Sequence, residues 1–193
     1  MIYGMAFPDG LSKNQKLLMP VITPTTHGSG PGGHDERLTK QEILEKGIAG
    51  KELYEQMEQA SLALFSFGSE LCAKQGIILV DTKYEFGLCD GVLTLIDEFH
   101  TPDSSRFWIA NTYEERFGQG LEPENFDKEF IRLWYAERGY KGDGPPPPMS
   151  EELVSKASQR YIEVYEKITG NTFERFPYPI EERIKNNTKD ALL

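Results

Sequence analysis

The sequence predicts an α+β fold in which a mostly antiparallel sheet is flanked by helices. Two segments rich in β-forming residues, 77–86 and 92–99, are separated by Asp90-Gly91, a dipeptide typical of a tight hairpin turn. Apolar residues recur at helical spacing on both sides of this hairpin. Hydrophobic residues make up 38% of the 193 residues, which is enough to build a core.

The helices are predicted from periodicity and from signals at their ends. Four segments have apolar residues at helical spacing: 39–47, 51–75, 126–139 and 150–170. In the first, Thr39 is followed three residues later by Glu42, which is the pattern of a capping box. Gly76 and Gly170 are expected to end the second and the last helix, because glycine readily adopts the left-handed conformation found there.

The chain divides by composition into three parts. Residues 1–38 are rich in Gly, Pro and Thr and are expected to form an extended or looped lead-in. Residues 39–173 contain the predicted strands and the four helices, with a proline-rich linker at 142–148. Residues 174–193 form a polar C-terminal tail, which we expect to be peripheral.

Charge and cysteine content narrow the possible functions. The net charge of −10 argues against general nucleic-acid binding, which requires a basic surface. No apolar run is long enough to span a membrane, and residues 1–10 lack the pattern of a signal peptide. Cys72 and Cys89 have no metal or redox spacing, so we expect a cytoplasmic protein. Because the protein is acidic as a whole, any site for an anionic ligand must be a local cluster of Lys and Arg.

The first predicted strand carries an unusual row of charges. Because side chains alternate along a strand, Asp81, Lys83 and Glu85 are expected to share one face. A solvated or salt-bridged face is the commoner explanation for such a row in a random strand. The alternative is a nucleotide–metal site, in which carboxylates bind Mg²⁺ and the lysine neutralises phosphate oxygens.

The partner of this row depends on the hairpin register. A two-residue turn at Asp90-Gly91 would place Glu98 on the face with Lys83 and Glu85. A three-residue turn with a bulge would place Asp97 there instead. The residue pattern leaves both registers open.

Two further groups of polar residues are candidates for anion binding. The loop after the hairpin contains a compact set of small polar and charged side chains: Asp103, Ser104, Ser105 and Arg106. Arg106 can bind a carboxylate or phosphate with two parallel hydrogen bonds, although an ordinary surface arginine is the commoner case. Lys128 and Arg132 lie one helical turn apart on the same face of a predicted helix. They form either an anion site or a solvated helix face on which they pair with Asp127 or Glu129.

Several motifs resemble the SAICAR synthetase (phosphoribosylaminoimidazole-succinocarboxamide synthase) family. The two longest are LVDTKYEFG at residues 79–87 and DEFHTPDSSRFW at residues 97–108. The shorter ones are FPDG at 7–10, ITPTT at 22–26, HDE at 34–36 and YIEVYEKITG at 161–170. They follow the family's order and extend over roughly residues 3–173. The resemblance implies that residues 39–173 form an ATP-grasp-like catalytic lobe.

The resemblance also implies an activity. Enzymes of this family join L-aspartate to the carboxylate of CAIR, an aminoimidazole ribonucleotide, and produce SAICAR, ADP and phosphate in de novo purine biosynthesis. ATP activates the carboxylate as an acyl phosphate, which the aspartate amine then attacks. ATP and Mg²⁺ are therefore the implied cofactors, and CAIR and L-aspartate are the implied substrates.

Roles carry over from the family by position. Glu85 and Asp97 match acidic residues near Mg²⁺ and ATP, which favours the bulged hairpin, and Lys83 matches a lysine beside the nucleotide. These three residues are the predicted catalytic, nucleotide-binding and metal-binding set. The predicted substrate-binding residues are those of the loop and the following helix, together with one strand residue: Asp81, Asp103, Ser104, Ser105, Arg106, Lys128 and Arg132.

The chain departs from the family in two places. Its relatives carry an N-terminal lobe before the segment resembling FPDG, and we expect this lobe to be absent here. His27 follows the threonines of TPTT where relatives usually have a lysine, whereas His34 is expected to keep its family role. The alternative function is thus an incomplete fragment or paralogue that acts as a subunit or nucleotide-binding scaffold. A separate N-terminal lobe or a second copy of the chain would be its partner.

Overall fold

The structure is a computed structural model that describes residues 2–28, 35–126, 128–140, 142, 144–176 and 179–189. His34 and Asp127 lie outside the described residues, as does the side chain of Glu129. The helices in the described part are α1 (Lys40–Glu45), α2 (Lys51–Lys74), α3 (Ala110–Gly118), α4 (Glu129–Glu137), α5 (Glu151–Thr169) and α6 (Ile180–Thr188). The strands are β1 (Ile77–Thr82), β2 (Glu85–Cys89), β3 (Val92–Ile96) and β4 (Ser105–Ile109).

The strands form two antiparallel ribbons. β1 pairs with β4, and β2 pairs with β3. The prediction of antiparallel strands combined with helices is confirmed, but the predicted single strand at 77–86 is wrong, because Lys83 and Tyr84 interrupt it. The expected loop position of Ser105 and Arg106 is also corrected, since both belong to β4, which pairs with β1.

The β2–β3 hairpin has the shorter of the two turns considered. Cys89 is paired with Val92, so the loop consists of Asp90 and Gly91 alone. Their φ angles of 51° and 80° are those of a turn with both central residues left-handed, which matches the right-handed twist of the strands. The bulged register favoured by the family resemblance is therefore wrong.

A bulge occurs instead in β1. Leu79 is paired with Phe107, but Asp81 is paired with Arg106, so Val80 is an extra residue on this strand. Regular alternation would have pointed Asp81 to the buried face with Leu79. The bulge turns Asp81 to the exposed face and places Thr82 beside the buried Ser105. The strand thereby avoids the free-energy cost of burying a carboxylate.

The main core is built from elements that are far apart in the sequence. Its buried residues come from α2, β1, β4, the segment before α4, and α5: Cys72, Ile77, Leu79, Phe107, Phe126 and Val164. Phe107 is completely buried, and burial of one such side chain contributes roughly 1.5–3 kcal/mol. A second cluster of Leu38, Ile43, Ala49 and Tyr54 packs α1 against the start of α2.

The helix ends follow the local sequence closely. Thr39 and Glu42 form the predicted capping box at α1, and Ser150 caps α5 by accepting a hydrogen bond from the Leu153 amide. Gly170 closes α5 with a φ of 70°. Helix α3 and the tail helix α6 were not predicted, and α6 has no buried residue. Within the described residues, no helix has the length and apolar character needed to cross a membrane.

Candidate functional site

Lys83 and Glu85 form the centre of the candidate site, where the chain passes from β1 to β2. Lys83 Nζ lies 2.5 Å from Glu85 Oε1, and His27 Nδ1 lies 3.4 Å from the same oxygen. The Glu85 side chain is 23% exposed, but its Oε1 atom is buried. Within the part of the chain that the structure describes, no donor meets this oxygen with good hydrogen-bond geometry. Its charge is balanced by the short ion pair with Lys83.

Two more carboxylates act on Lys83. Glu85 is the main cause that raises the pKa of Lys83 above its ordinary value, and Asp35 and Asp97 add smaller electrostatic contributions. The structure thus brings Asp97 near Lys83 although the hairpin has no bulge. Asp97 is the first residue after β3 and has a φ of 65°, so its position is set by where the strand ends rather than by alternation.

Asp35 is a residue that sequence reasoning missed at this site. Its Oδ1 accepts a hydrogen bond of 2.7 Å from the Gly28 amide, and its charge reaches Lys83. It belongs to the HDE motif, which is far from the hairpin in sequence. Membership of that motif was the only available signal, because periodicity gives no information in a glycine-rich loop.

The donor set fits a magnesium ion that is shared with phosphate oxygens. Mg²⁺ is usually held by one or two carboxylates together with water and substrate phosphates, not by a full cage of side chains. Glu85 and Asp97, which both act on the charge of Lys83, are the carboxylates that could hold such an ion. Across the described ranges, no group of three or more metal-binding side chains is present.

Asp81 and Arg106 form an ion pair across the bulge. Arg106 Nε lies 2.9 and 3.1 Å from the two carboxylate oxygens of Asp81, and Arg106 Nη2 contacts Oδ2 as well. The pair is about half exposed. For Asp81 the expected common strand face with Lys83 and Glu85 is wrong, because β1 ends at Thr82 and the chain leaves the strand before Lys83. The geometry at Asp81 is that of the salt-bridged alternative.

A chain of hydroxyl groups organises the loop between β3 and β4. Thr101 Oγ1 donates to Glu98 Oε2 at 2.6 Å and lies 3.2 Å from Ser104 Oγ. Ser104 Oγ lies 3.3 Å from Ser105 Oγ, which donates to Thr82 Oγ1 at 2.8 Å. Ser105 is 5% exposed, so its hydroxyl joins the two strands inside the protein. Of the two serines, Ser104 is the more accessible.

Asp103 and Lys128 connect this loop to α4. Lys128 Nζ contacts Asp103 Oδ1, and this contact is the main cause that lowers the pKa of Asp103 below its ordinary value. Arg132 follows one turn later on the exposed side of α4. The predicted loop and helix residues therefore meet through Asp103 and Lys128. Their assignment to substrate binding stays a prediction.

The comparisons with known proteins all lead to one family. The family model described as SAICAR synthetase matches residues 2–147. A phosphoribosylaminoimidazole-succinocarboxamide synthase of Bacteroides thetaiotaomicron is 46% identical over 194 aligned positions, which cover 99% of this chain and 62% of that protein. The chloroplastic synthase of Arabidopsis thaliana is 48% identical over 98% of this chain and 46% of its own length. The chain thus spans about half to three fifths of the relatives it matches.

Solved structures share the fold. The SAICAR synthase of Saccharomyces cerevisiae complexed with SAICAR superposes with a TM-score of 0.72 at 28% identity, over 91% of this chain and 55% of that one. A type-2 SAICAR synthetase structure in complex with ADP gives a TM-score of 0.61 at 28% identity, over 86% of this chain and 57% of that one. The mixed helical and antiparallel architecture described above is therefore that of these structures.

Proposed function

The chain belongs to the SAICAR synthetase family, and from this membership we propose that it is an ATP-dependent carbon–nitrogen ligase. The reaction joins CAIR and L-aspartate to give SAICAR, ADP and phosphate in de novo purine biosynthesis. We further propose that residues 39–173 act as an ATP-grasp-like catalytic lobe. The cytoplasm is the proposed compartment, since Cys72 and Cys89 are both free thiols.

The observation that carries this proposal is the buried Glu85 oxygen beside Lys83. A buried carboxylate oxygen is costly unless cations balance it, and Lys83 Nζ is such a cation at 2.5 Å. In our proposal Glu85 and Asp97 hold Mg²⁺ with the nucleotide, where the metal supplies charge stabilisation for the transferred phosphoryl group. Lys83 adds a fixed positive charge next to the same phosphates. The ADP bound in the related SAICAR synthetase structure supports nucleotide binding here.

The second part of the proposed site binds CAIR and aspartate. Both are anionic, and the protein carries a net charge of −10, so binding requires a local group of cations. Arg106, Lys128 and Arg132 supply these cations in our proposal, with Ser104 as a neutral hydrogen-bonding group. Asp81 and Asp103 orient two of the cations through the ion pairs described above. The SAICAR bound to the yeast enzyme supports a substrate site of this class.

The chain covers only part of its relatives, so completion of the site by a separate N-terminal lobe or by a second copy stays a prediction. The direct test measures SAICAR formed by the purified 193-residue chain from ATP, CAIR and L-aspartate in the presence of Mg²⁺. We expect turnover in at least one of two conditions, the chain alone or the chain mixed with an N-terminal lobe from a longer relative. The proposal is wrong if neither condition gives turnover and the chain does not bind Mg–ADP.

A substitution at Glu85 tests the proposed metal site itself. Glu85→Gln keeps the shape of the side chain but removes its charge, so it should lower turnover by about 100-fold or more while the protein remains folded. The matched control is Glu114→Gln, the same change at an exposed position of α3, which should leave turnover unchanged. Near-normal activity of Glu85→Gln would exclude the metal role.

A further inference from the structure

A tyrosine and a histidine that the proposed chemistry does not use are bonded to each other next to the metal residues. The Tyr84 hydroxyl lies 2.6 Å from His100 Nε2, and the two rings meet edge to face with centroids 5.6 Å apart. Both side chains are partly buried. Tyr84 directly precedes Glu85, and His100 lies three residues after Asp97. This Tyr84–His100 pair therefore joins the two segments that carry the proposed metal ligands.

Helix α2 has a glycine where the histidine ring packs. Gly68 is buried, and a Cβ atom added to it would lie 2.8 Å from both ring nitrogens of His100 and closer still to Cε1. A glycine inside a helix costs about 1 kcal/mol relative to alanine. Glycine at this position thus allows the imidazole to pack closely, at some cost to helix stability. This packing anchors the Tyr84–His100 pair to the longest helix.

The backbone around the histidine also needs support. Asp97 and His100 both have positive φ angles, 65° and 55°, which are uncommon for residues other than glycine. Such conformations persist only when the surrounding structure fixes them. The hydrogen bond to Tyr84 and the packing on Gly68 act on the end of this short segment and hold it in place.

Both partners are uncharged near neutral pH. Burial raises the pKa of Tyr84 to about 12 and lowers the pKa of His100 below its ordinary value. Their hydrogen bond is therefore a neutral one, and it does not compete with the Lys83–Glu85 ion pair for charge.

We propose that the Tyr84–His100 pair, seated on Gly68, fixes the relative position of Glu85 and Asp97. Tyr84 and His100 are positioning residues in this proposal, since they act through the two carboxylates. The link between the segments stands on the contacts given above, whereas its consequence for a metal–nucleotide complex rests on the proposed function. Residues that orient metal ligands commonly change metal affinity when they are replaced.

The test compares two tyrosines that each make one hydrogen bond. Tyr84→Phe removes the bond to His100, and Tyr113→Phe removes a bond of 2.7 Å to the Asn14 carbonyl in another part of the protein. Backbone hydrogen exchange is measured at residues 83–86 and 97–100, and Mg–ADP binding is measured by calorimetry. Tyr84→Phe should speed exchange in both segments and weaken Mg–ADP binding about tenfold, and Tyr113→Phe should do neither.

Replacement of the histidine provides the rescue experiment. The amide nitrogen of glutamine can reach the position of His100 Nε2, so His100→Gln should retain slow exchange and most of the Mg–ADP affinity, and His100→Ala should lose both. Equal effects of Tyr84→Phe and Tyr113→Phe in the two measurements would overturn the proposal. A wild-type chain that does not bind Mg–ADP would contradict the proposed function instead, and the exchange data alone would then decide whether the pair links the segments.

Discussion

Three ion pairs account for most of the charged residues predicted to act in the site. Lys83 is paired with Glu85, Asp81 with Arg106, and Asp103 with Lys128. Glu85 is the least exposed of the three carboxylates at 23%, and the other two pairs lie about half exposed near the start of β4 and of α4. The Lys83–Glu85 pair therefore has the strongest claim to a chemical role, and the exposed pairs orient cations at modest cost.

The Asp103–Lys128 pair predicts a pH dependence of stability. Lys128 is the main cause that lowers the pKa of the Asp103 carboxyl. The pair therefore contributes its full stabilisation above the ordinary pKa of about 4, and this stabilisation is lost as the pH falls through the lower pKa of the folded state. Asp103→Asn should thus lower the free energy of unfolding by about 0.2–1 kcal/mol near neutral pH, the range for solvent-screened pairs.

Urea unfolding at a series of pH values measures this difference. The wild type and Asp103→Asn should converge below about pH 4, because protonation removes the charge that the variant lacks. Asp9→Asn, at an exposed position of the lead-in, is the control and should follow the wild type throughout. A difference that stays constant into the acid range would show that the pair does not control the stability of this region.

At the scale of the elements, the ends of the predicted helices could be read from the sequence more completely than the strands. Thr39 and Ser150 specify helix starts by accepting hydrogen bonds from nearby amides through their side chains, and Gly170 ends α5 through its left-handed conformation, so local sequence is sufficient. The two-residue turn at Asp90-Gly91 was one of two options that the sequence left open. The extra residue at Val80 depends on which strand lies opposite, and this contact between distant segments is invisible to periodicity.

Helix α2 supplies a prediction in which two effects oppose each other. Gly68→Ala gains roughly 1 kcal/mol of helix propensity, but its Cβ would collide with the His100 ring, and overpacking costs about 1–3 kcal/mol. Urea unfolding should therefore show a net loss of stability. Gly118→Ala, at the end of α3, has nothing within 4 Å of the added atom and should be neutral or slightly stabilising.

The double variant distinguishes a collision from an effect on the helix alone. His100→Ala removes the ring, so Gly68→Ala in that background should become stabilising. If Gly68→Ala costs the same amount with and without the histidine ring, the proposed seat for the Tyr84–His100 pair does not exist.

At the scale of the whole molecule, the core joins elements that the sequence places far apart. Residues of α2, β1, β4 and α5 meet around Phe107, whereas the β2–β3 hairpin lies outside this cluster. The candidate site is at the boundary, where β1 leaves the core and β2 begins. The assignment of the site residues stays a prediction from motifs, and the packing adds that Glu85 begins a hairpin outside the main core.

The two cysteines allow the unfolding of this core to be followed. Cys72 is 2% exposed within the main core, and burial raises its pKa to about 11, whereas Cys89 is exposed at the end of β2. Because the thiolate is the reactive form, at about pH 8 roughly one Cys72 thiol in a thousand would be ionised even if reagent could reach it. A thiol reagent should label Cys89 within seconds and Cys72 only when the core opens.

Cys89→Ser leaves Cys72 as the only thiol and makes the measurement direct. Its labelling rate should rise with urea in parallel with the loss of helical circular dichroism, because α2, β1, β4 and α5 share one core and should unfold together. Labelling that stays slow after the helical signal is lost, or that is fast in the native protein, would show that the core does not unfold as a unit. Parallel transitions would establish that α2, β1, β4 and α5 open as one cooperative unit.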